Sequence, residues 1–296
     1  MDQLLEVFAA VAEKKNFSRA AEELHMTQPA VSQYIQALER EIGTRLLERT
    51  NKYVKLNKAG EIVYDHAVEI LGLYTKMQRL VDDLTNKTSG PLTIGASYTF
   101  GEYILPHVIA RMLEQYPLVT PSISIGNTRD IAESVLRHQL DVGIVEGDFH
   151  HHQLVIEPFA EDIMHIVTAP SHKLARLEKV TPADLEHETW IVREKGSGTR
   201  TAADNMLESL NISPKKMMEF GSLQIIKESV EAGLGVSLLS QWAIRKELAM
   251  NTLKIVGVND LPFKRTFSIV TSSPYRTKAL DTFLHFVREV SGKTAI

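Results

Sequence analysis

The chain has 296 residues, an apolar share of 44%, a charged share of 24% and a formal net charge of -4. That length is about twice an ordinary domain, so two or three compact units are expected, each able to bury a core. The composition excludes a disordered chain, the lack of cysteine excludes a disulfide framework, a thiolate metal site and a cysteine nucleophile, and the acidic balance confines any nucleic-acid contact to a local patch.

Met1-Asp2-Gln3 runs straight into an amphipathic pattern without an export signal, and no apolar run reaches the roughly 18 residues of a membrane span. A cytoplasmic protein with no membrane partner is expected. The first helix places Leu4, Phe8, Val11 and Ala12 on one stripe. A short second helix, with Ser18 as its expected N-cap, offers Ala20, Ala21 and Leu24 for close packing. After a turn at His25-Met26, Thr27 caps a third helix with Pro29 in its first turn, Val31, Ile35, Leu38 and Ile42 as its buried stripe and Gly43 as its stop.

The exposed face of that third helix carries Gln28, Ala30, Ser32, Gln33 and Gln36. Glutamine bonds bidentately to adenine, serine donates or accepts, and an alanine methyl meets thymine, so the set suits base reading from the major groove. Arg45, Arg49, Lys52, Lys55 and Lys58 follow against the single acid Glu48, a patch fit for phosphates. An ordinary helical domain with a solvated basic edge remains the alternative on pattern alone. Tyr53-Val54-Lys55-Leu56 alternates like one strand of a wing.

The run from Phe17 to Ser32, with Ile35, Leu38, Glu39, Ile42-Gly43, Leu46-Leu47, Glu48-Arg49 and Ala59-Gly60, resembles the N-terminal signature of LysR-type transcriptional regulators. The likeness departs at Leu47, Lys52 and Asn57, where the family often has phenylalanine, arginine and threonine. It implies that Gln28, Pro29, Ser32 and Gln33 lie against bases and that Thr27, Arg49 and Lys52 touch the DNA backbone. It also implies dimers that pair into tetramers, with RNA polymerase as a further partner.

From Ala59, Val63, Ala67, Ile70, Tyr74, Met77, Val81 and Leu84 repeat at alternating spacings of four and three, a heptad seam. Pairing with a second copy buries it, as does packing on the chain's own C-terminal part. The turn formers Thr85 to Pro91 read as a hinge. Beyond them strands alternate with helices: strands at Leu92–Gly95, Ser122–Gly126 and Val142–Val145, with helices at Ile104–Gln115 and Arg129–His138. The alternation continues through strands Ile163–Thr168, Trp190–Val192, Met217–Phe220, Val236–Leu239 and Lys254–Val258, with helices near 202–210 and 223–232. Phe267–Thr271 and Lys278–Val290 close the chain as a strand and a helix.

In such sheets ligands gather at strand carboxyl ends, beside helix N-termini. Ser97, Thr99, Thr128, Ser197 and Thr199 stand there, as do Asn127 and Ser222, with Arg193 and Arg200 adding charge for a carboxylate, sulfate or phosphate. These residues serve equally well as helix caps. The resemblance implies a pair of Rossmann-like subdomains similar to type 2 periplasmic binding proteins, with the effector in the cleft between them. The expected architecture is therefore α/β with an N-terminal all-α winged helix-turn-helix (1–58), a linker helix and hinge (59–90) and an effector domain (91–296). Its subdomain I spans about 91–161 and 267–296, and its subdomain II about 162–266.

An enzyme is the rival reading, but no catalytic motif is complete and no cofactor or metal is expected. His150-His151-His152 lacks a partner at helical spacing, Gly233-Leu234-Gly235 runs from helix to strand, the reverse of a dinucleotide loop, and Ser97 lacks the flanking glycines of a nucleophile elbow. A solute-binding protein without DNA contact is the third reading.

Overall fold

The structure is a computed structural model describing residues 2–49, 53–82, 88–177, 179–258, 263–273 and 275–290. It divides into two compact units, Met1–Thr85 with Arg137–Gln139, and Asn86–Leu136 with Leu140–Ile296.

The N-terminal unit opens with α1 (Asp2–Lys14), α2 (Phe17–Glu23) and α3 (Gln28–Ile42). Val31, Ile35 and Leu38 of α3 are sealed against Leu5, Phe8, Val11, Ala20 and Ala21, which leaves the opposite side of α3 to solvent. Asn16 rather than Ser18 caps α2, its Oδ1 accepting from the amides of Ser18 and Arg19 at 2.9 and 3.1 Å. One carboxamide oxygen thus satisfies two amides that lack intrahelical partners, and the expected cap moves back two residues. Thr27 caps α3 through Oγ1, which accepts from the Ala30 amide at 3.4 Å. Gly43 ends it at φ +82°, in the left-handed region that favours glycine.

β1 (Leu47–Arg49) pairs antiparallel with β2 (Val54–Leu56), completing the wing. Its root is tied by Asn57, whose Nδ2 donates to the Arg45 carbonyl at 2.8 Å and whose Oδ1 accepts from the Gly60 amide at 2.8 Å. The long α4 (Lys58–Asp82) starts directly on that root: a Cβ at Gly60 would lie 2.0 Å from the Leu46 carbonyl oxygen.

The heptad reading of α4 is corrected at its start. Ala67, 1% exposed, is sealed in the core of the N-terminal unit, and Val63, half-buried, packs against that core. Ile70, Tyr74, Met77 and Val81 are exposed, and so are Ile62 and Leu73, which the heptad count passes over. Leu84 lies outside the described residues.

The C-terminal unit runs β3 (Gly90–Ser97), α5 (Tyr98–Tyr103), α6 (Leu105–Gln115), β4 (Val119–Gly126), α7 (Thr128–Leu136), β5 (Val142–Glu146) and β6 (Val155–Thr168). It continues through α8 (Pro182–Glu186), β7 (Thr189–Arg193), α9 (Gly198–Ser209), β8 (Lys216–Phe220), α10 (Leu223–Glu231), β9 (Ser237–Ser240), α11 (Gln241–Ala249), β10 (Lys254–Ile255), β11 (Phe263–Thr271) and α12 (Lys278–Val290). β4, β3 and β5 are parallel, and β11 lies antiparallel between β5 and β6.

β6 and β11 are the long strands that join the two halves. β6 pairs with β11 along its first part, then with β9 and β10 from Met164 onward. β7 pairs parallel with β8 and meets the second half through a bridge from Trp190 to Val236. In the first half Phe100, Leu105, Met112, Phe283 and Val287 form the core on one sheet face, while Ile131 and Val135 of α7 cover Val145 and Val270 on the other. In the second, Trp190, Met206 and Leu207 pack on one side and Ile226, Val230 and Ile244 on the other.

β6 begins eight residues before the expected Ile163, because Glu157 and Glu161 interrupt the apolar alternation that marks a strand. Helix α9 starts at Gly198 rather than near Ala202. That moves Gly198 and Thr199 from a loop into a first helical turn.

Candidate functional site

Two sites are built by this fold, one in each unit. In the first, α3 exposes Gln28, Pro29, Gln33 and Gln36, with Ser32 half-buried beside them. The buried stripe fixes the roll of the helix, so these side chains share one solvent-facing surface. At its C-terminal end opens a groove of about 840 Å³, lined by Gln36, Arg40, Thr44 and Arg45 among others. Thr27, expected at a phosphate, uses its oxygen as the α3 cap and retains a hydroxyl proton to donate.

The basic patch is partly compensated within the unit. Lys55 pairs with Glu48 at 2.8 Å, which raises the pKa of its ammonium, and Lys58 pairs with Glu61 at 3.0 Å. These pairs are exposed and therefore easily exchanged for phosphate oxygens. Arg45 stands exposed at the groove. The backbone of Arg49 belongs to β1, and Lys52 lies outside the described residues.

In the second unit the strand ends converge. Ser97 Oγ lies 3.2 Å from Thr128 Oγ1, which donates to the Glu146 carbonyl at 3.1 Å. The Glu146 carboxylate, 2% exposed, accepts from the Thr99 and Phe100 amides at 2.7 and 3.1 Å. An internal anion thus occupies the N-terminus of α5. Glu146 also pairs with Arg265 at 2.7 Å, whose Nε donates to Asp162 at 2.7 Å. Arg265 further donates to Thr99 Oγ1 at 2.8 Å and to Thr199 Oγ1 at 2.9 Å. Burial raises the pKa of Asp162, against the pull of Arg265 and the Ser240 hydroxyl.

Arg193 stacks on the Tyr98 ring, 4.2 Å from its centroid, and holds Glu194 through two hydrogen bonds of 2.7 and 2.8 Å. Burial pushes the Glu194 carboxyl up, but those bonds and a backbone amide outweigh it and hold the group low. Arg200 is likewise engaged, by Asp204, Glu219 and the Arg193 carbonyl. Neither arginine expected to carry charge for an anion is therefore uncompensated. Asn127 Oδ1 accepts from the Asp130 amide, and the Arg129 amide reaches the Gly196 carbonyl at 3.2 Å, so α7 is closed at its start. Ser222 is the N-cap of α10 without a capping side-chain bond.

Helices α9 and α10 are open at their starts. Ser197 is buried as the N-cap of α9 yet makes no capping bond, and among the described residues the amides of Gly198, Thr199 and Arg200, like those of Leu223, Gln224 and Ile225 at the start of α10, give their hydrogens to no protein acceptor. Gly198 lets the α9 turn approach the first half of the unit, since a Cβ there would lie 2.0 Å from the Glu146 carbonyl oxygen. The arrangement joins Ser97, Thr99, Thr128, Ser197 and Thr199 into one continuous polar region. Sequence reasoning missed Glu146, Asp162 and Arg265, which knit it together. Their signal is a charged residue pointing inward among apolar neighbours of a strand, as at Arg265 in β11.

Residues 3–61 match the bacterial regulatory helix-turn-helix protein family of lysR type, and residues 85–292 match the LysR substrate binding domain. The chain is 39% identical over 269 residues to the HTH-type transcriptional regulator CysL of Bacillus subtilis, covering 91% of this chain and 90% of that protein. A full-length OxyR from Pseudomonas aeruginosa superposes with a TM-score of 0.75 at 24% identity, covering 97% of this chain and 94% of its own. The regulatory domain of CcmR from Synechocystis, solved in complex with 2-PG, superposes with a TM-score of 0.64 at 26% identity, covering 70% of this chain and 99% of its own. The chain belongs to the LysR family of transcriptional regulators and pairs a DNA-binding helix-turn-helix with a small-molecule effector domain.

Proposed function

We propose that the chain is a dimeric, cytoplasmic, non-catalytic regulator that reads an inverted-repeat operator through α3 and is controlled by a small oxyanion held in the polar region of its C-terminal unit. Gln28, Pro29, Ser32, Gln33 and Gln36 face the bases, while Thr27, Arg49 and Lys52, joined by Arg45, take phosphates. The observation that carries this reading is the fixed roll of α3: a sealed apolar stripe on one side and a row of exposed amides on the other.

The working divisions are residues 1–58 for DNA, 59–90 for dimerisation and 91–296 for the effector, with the subdomain boundaries given above. Ile62, Ile70, Leu73, Tyr74, Met77 and Val81 form the exposed seam. A symmetric pair sets two recognition helices one helical turn apart, and pairing of dimers and contact with RNA polymerase belong to the same reading. The effector's oxygens settle at the start of α9, whose first amides have no protein partner among the described residues and whose Thr199 is joined through Arg265 to Thr99. Footprinting tests the DNA half: Ser32→Ala with Gln33→Ala weakens operator binding by about 1–3 kcal/mol per lost contact and leaves random DNA nearly unaffected. Equal loss on both DNAs refutes the base-reading assignment.

A further inference from the structure

Arg265 on β11 is sealed, its side chain 2% exposed, and four of its five N–H hydrogens go to protein acceptors. It is clamped from both halves of the C-terminal unit. Asp162 of β6 holds Nε, Glu146 at the end of β5 holds Nη1, and the two remaining contacts run to Thr99 Oγ1 from Nη2 and Thr199 Oγ1 from Nη1. The clamps are themselves fixed, Asp162 by the Ser240 hydroxyl at 2.7 Å and Glu146 by the first amides of α5.

A guanidinium donates five hydrogens and accepts none. At both threonines the hydroxyl oxygen is therefore the acceptor, and its own proton must be given elsewhere. Thr99 is fully buried and Thr199 is 3% exposed, yet among the described residues neither passes that proton to a protein acceptor. The two threonines sit at the first turns of α5 and α9, one on each half of the unit.

We infer that Arg265 is a positioning residue of the effector site, which turns the hydroxyls of Thr99 and Thr199 into a matched pair of donors and so selects ligands with acceptor oxygens over ligands with donor groups. The inference rests on the reading that these threonines belong to the ligand site. Lysine cannot replace the arginine, because a single ammonium does not reach four acceptors spread around a planar fork. The ligand group this favours is a carboxylate, phosphoryl or sulfuryl oxygen set.

Isothermal titration of the full chain with acetate, inorganic phosphate and inorganic sulfate separates those sources. The wild type binds at least one of them; Thr99→Val weakens that binding about tenfold, and Thr99→Ser restores most of it. Arg265→Lys weakens it to a similar extent, and adding Thr99→Val in that background costs less than about twofold more, because the two act as one unit. If the wild type binds none of the three, the oxyanion reading and this inference both fall. If Thr99→Val binds as tightly as wild type, the threonine is not in the site. If Thr99→Val is weakened but Arg265→Lys is not, or the two losses simply multiply, the inference alone is overturned. Should Arg265→Lys not fold, Asp162→Asn loosens the same guanidinium at Nε, the nitrogen that bonds neither threonine, and weakens binding at least about threefold; unchanged affinity there refutes the role given to Arg265.

Discussion

Replacing Gly198 by alanine measures how closely the two halves of the C-terminal unit are fitted. The added Cβ would stand 2.0 Å from the Glu146 carbonyl oxygen and 2.6 Å from its carbon, where real contacts begin at 3.0 Å. Both atoms are backbone, and neither is free to retreat: the oxygen accepts from Thr128 Oγ1, and Glu146 pairs in register with Phe267 of β11. Overpacking of this kind costs about 1–3 kcal/mol. Loosening the Thr128 bond adds about 1 kcal/mol, and the stiffer unfolded chain returns about 0.4–1 kcal/mol. The expected net loss is about 1–4 kcal/mol. Both tryptophans, Trp190 and Trp242, lie in this unit, so urea unfolding followed by their fluorescence reads it without the N-terminal unit. Gly221→Ala is the control, because a Cβ there meets nothing within 4 Å and should change stability by less than about 0.5 kcal/mol. A Gly198→Ala loss no larger than that of the control would refute the close fit.

Asn16→Ala should cost about 1 kcal/mol and Ser18→Ala only a few tenths, read by thermal melting of helical signal; the reverse order would return the cap to Ser18. Arg45→Ala should weaken operator and random DNA alike and make the slope of log K against log salt shallower by about one unit; an unchanged slope removes Arg45 from the phosphate set. Ile70→Glu with Met77→Glu should convert the dimer to monomer in sedimentation, while Val63→Ala leaves it dimeric and costs the N-terminal unit about 1–2 kcal/mol. A dimer that survives both glutamates is held by another surface.

How much of this was legible beforehand depends on the range of the interactions involved. The N-terminal unit reads well because its signals are local. Thr27, Pro29 and Gly43 fix the ends of α3 within a few residues, and the apolar period fixes its roll. The seam of α4 reads only partly, since Val63 and Ala67 obey the heptad spacing yet are claimed by the core formed with α1 to α3. Periodicity says which residues share a face, whereas tertiary packing decides what covers it. The capping error at α2 has a similar origin: Ser18 and Asn16 are both good caps, and the backbone conformation at Asn16, φ -159° and ψ 123°, selects the second.

At the ligand site the limit is different. Ser97, Asn127, Ser197 and Ser222 occupy equivalent places after strands, and in the sequence they are interchangeable candidates. Their helix starts diverge in what meets their first amides: α5 is filled by the distant Glu146 carboxylate, α7 by Asn127 itself and the Gly196 carbonyl, and among the described residues α9 and α10 keep their first amides unpaired. Compensation at Arg193 comes from its own chain neighbour Glu194, so a charge count over the cleft overstates its positive character. What remains for a ligand beside Arg265 is the open start of α9 and two threonine hydroxyls whose oxygens are already engaged by that arginine. Selectivity here would therefore depend less on net charge than on the direction in which hydrogens point. That direction is set by an arginine more than sixty residues from either threonine in the chain.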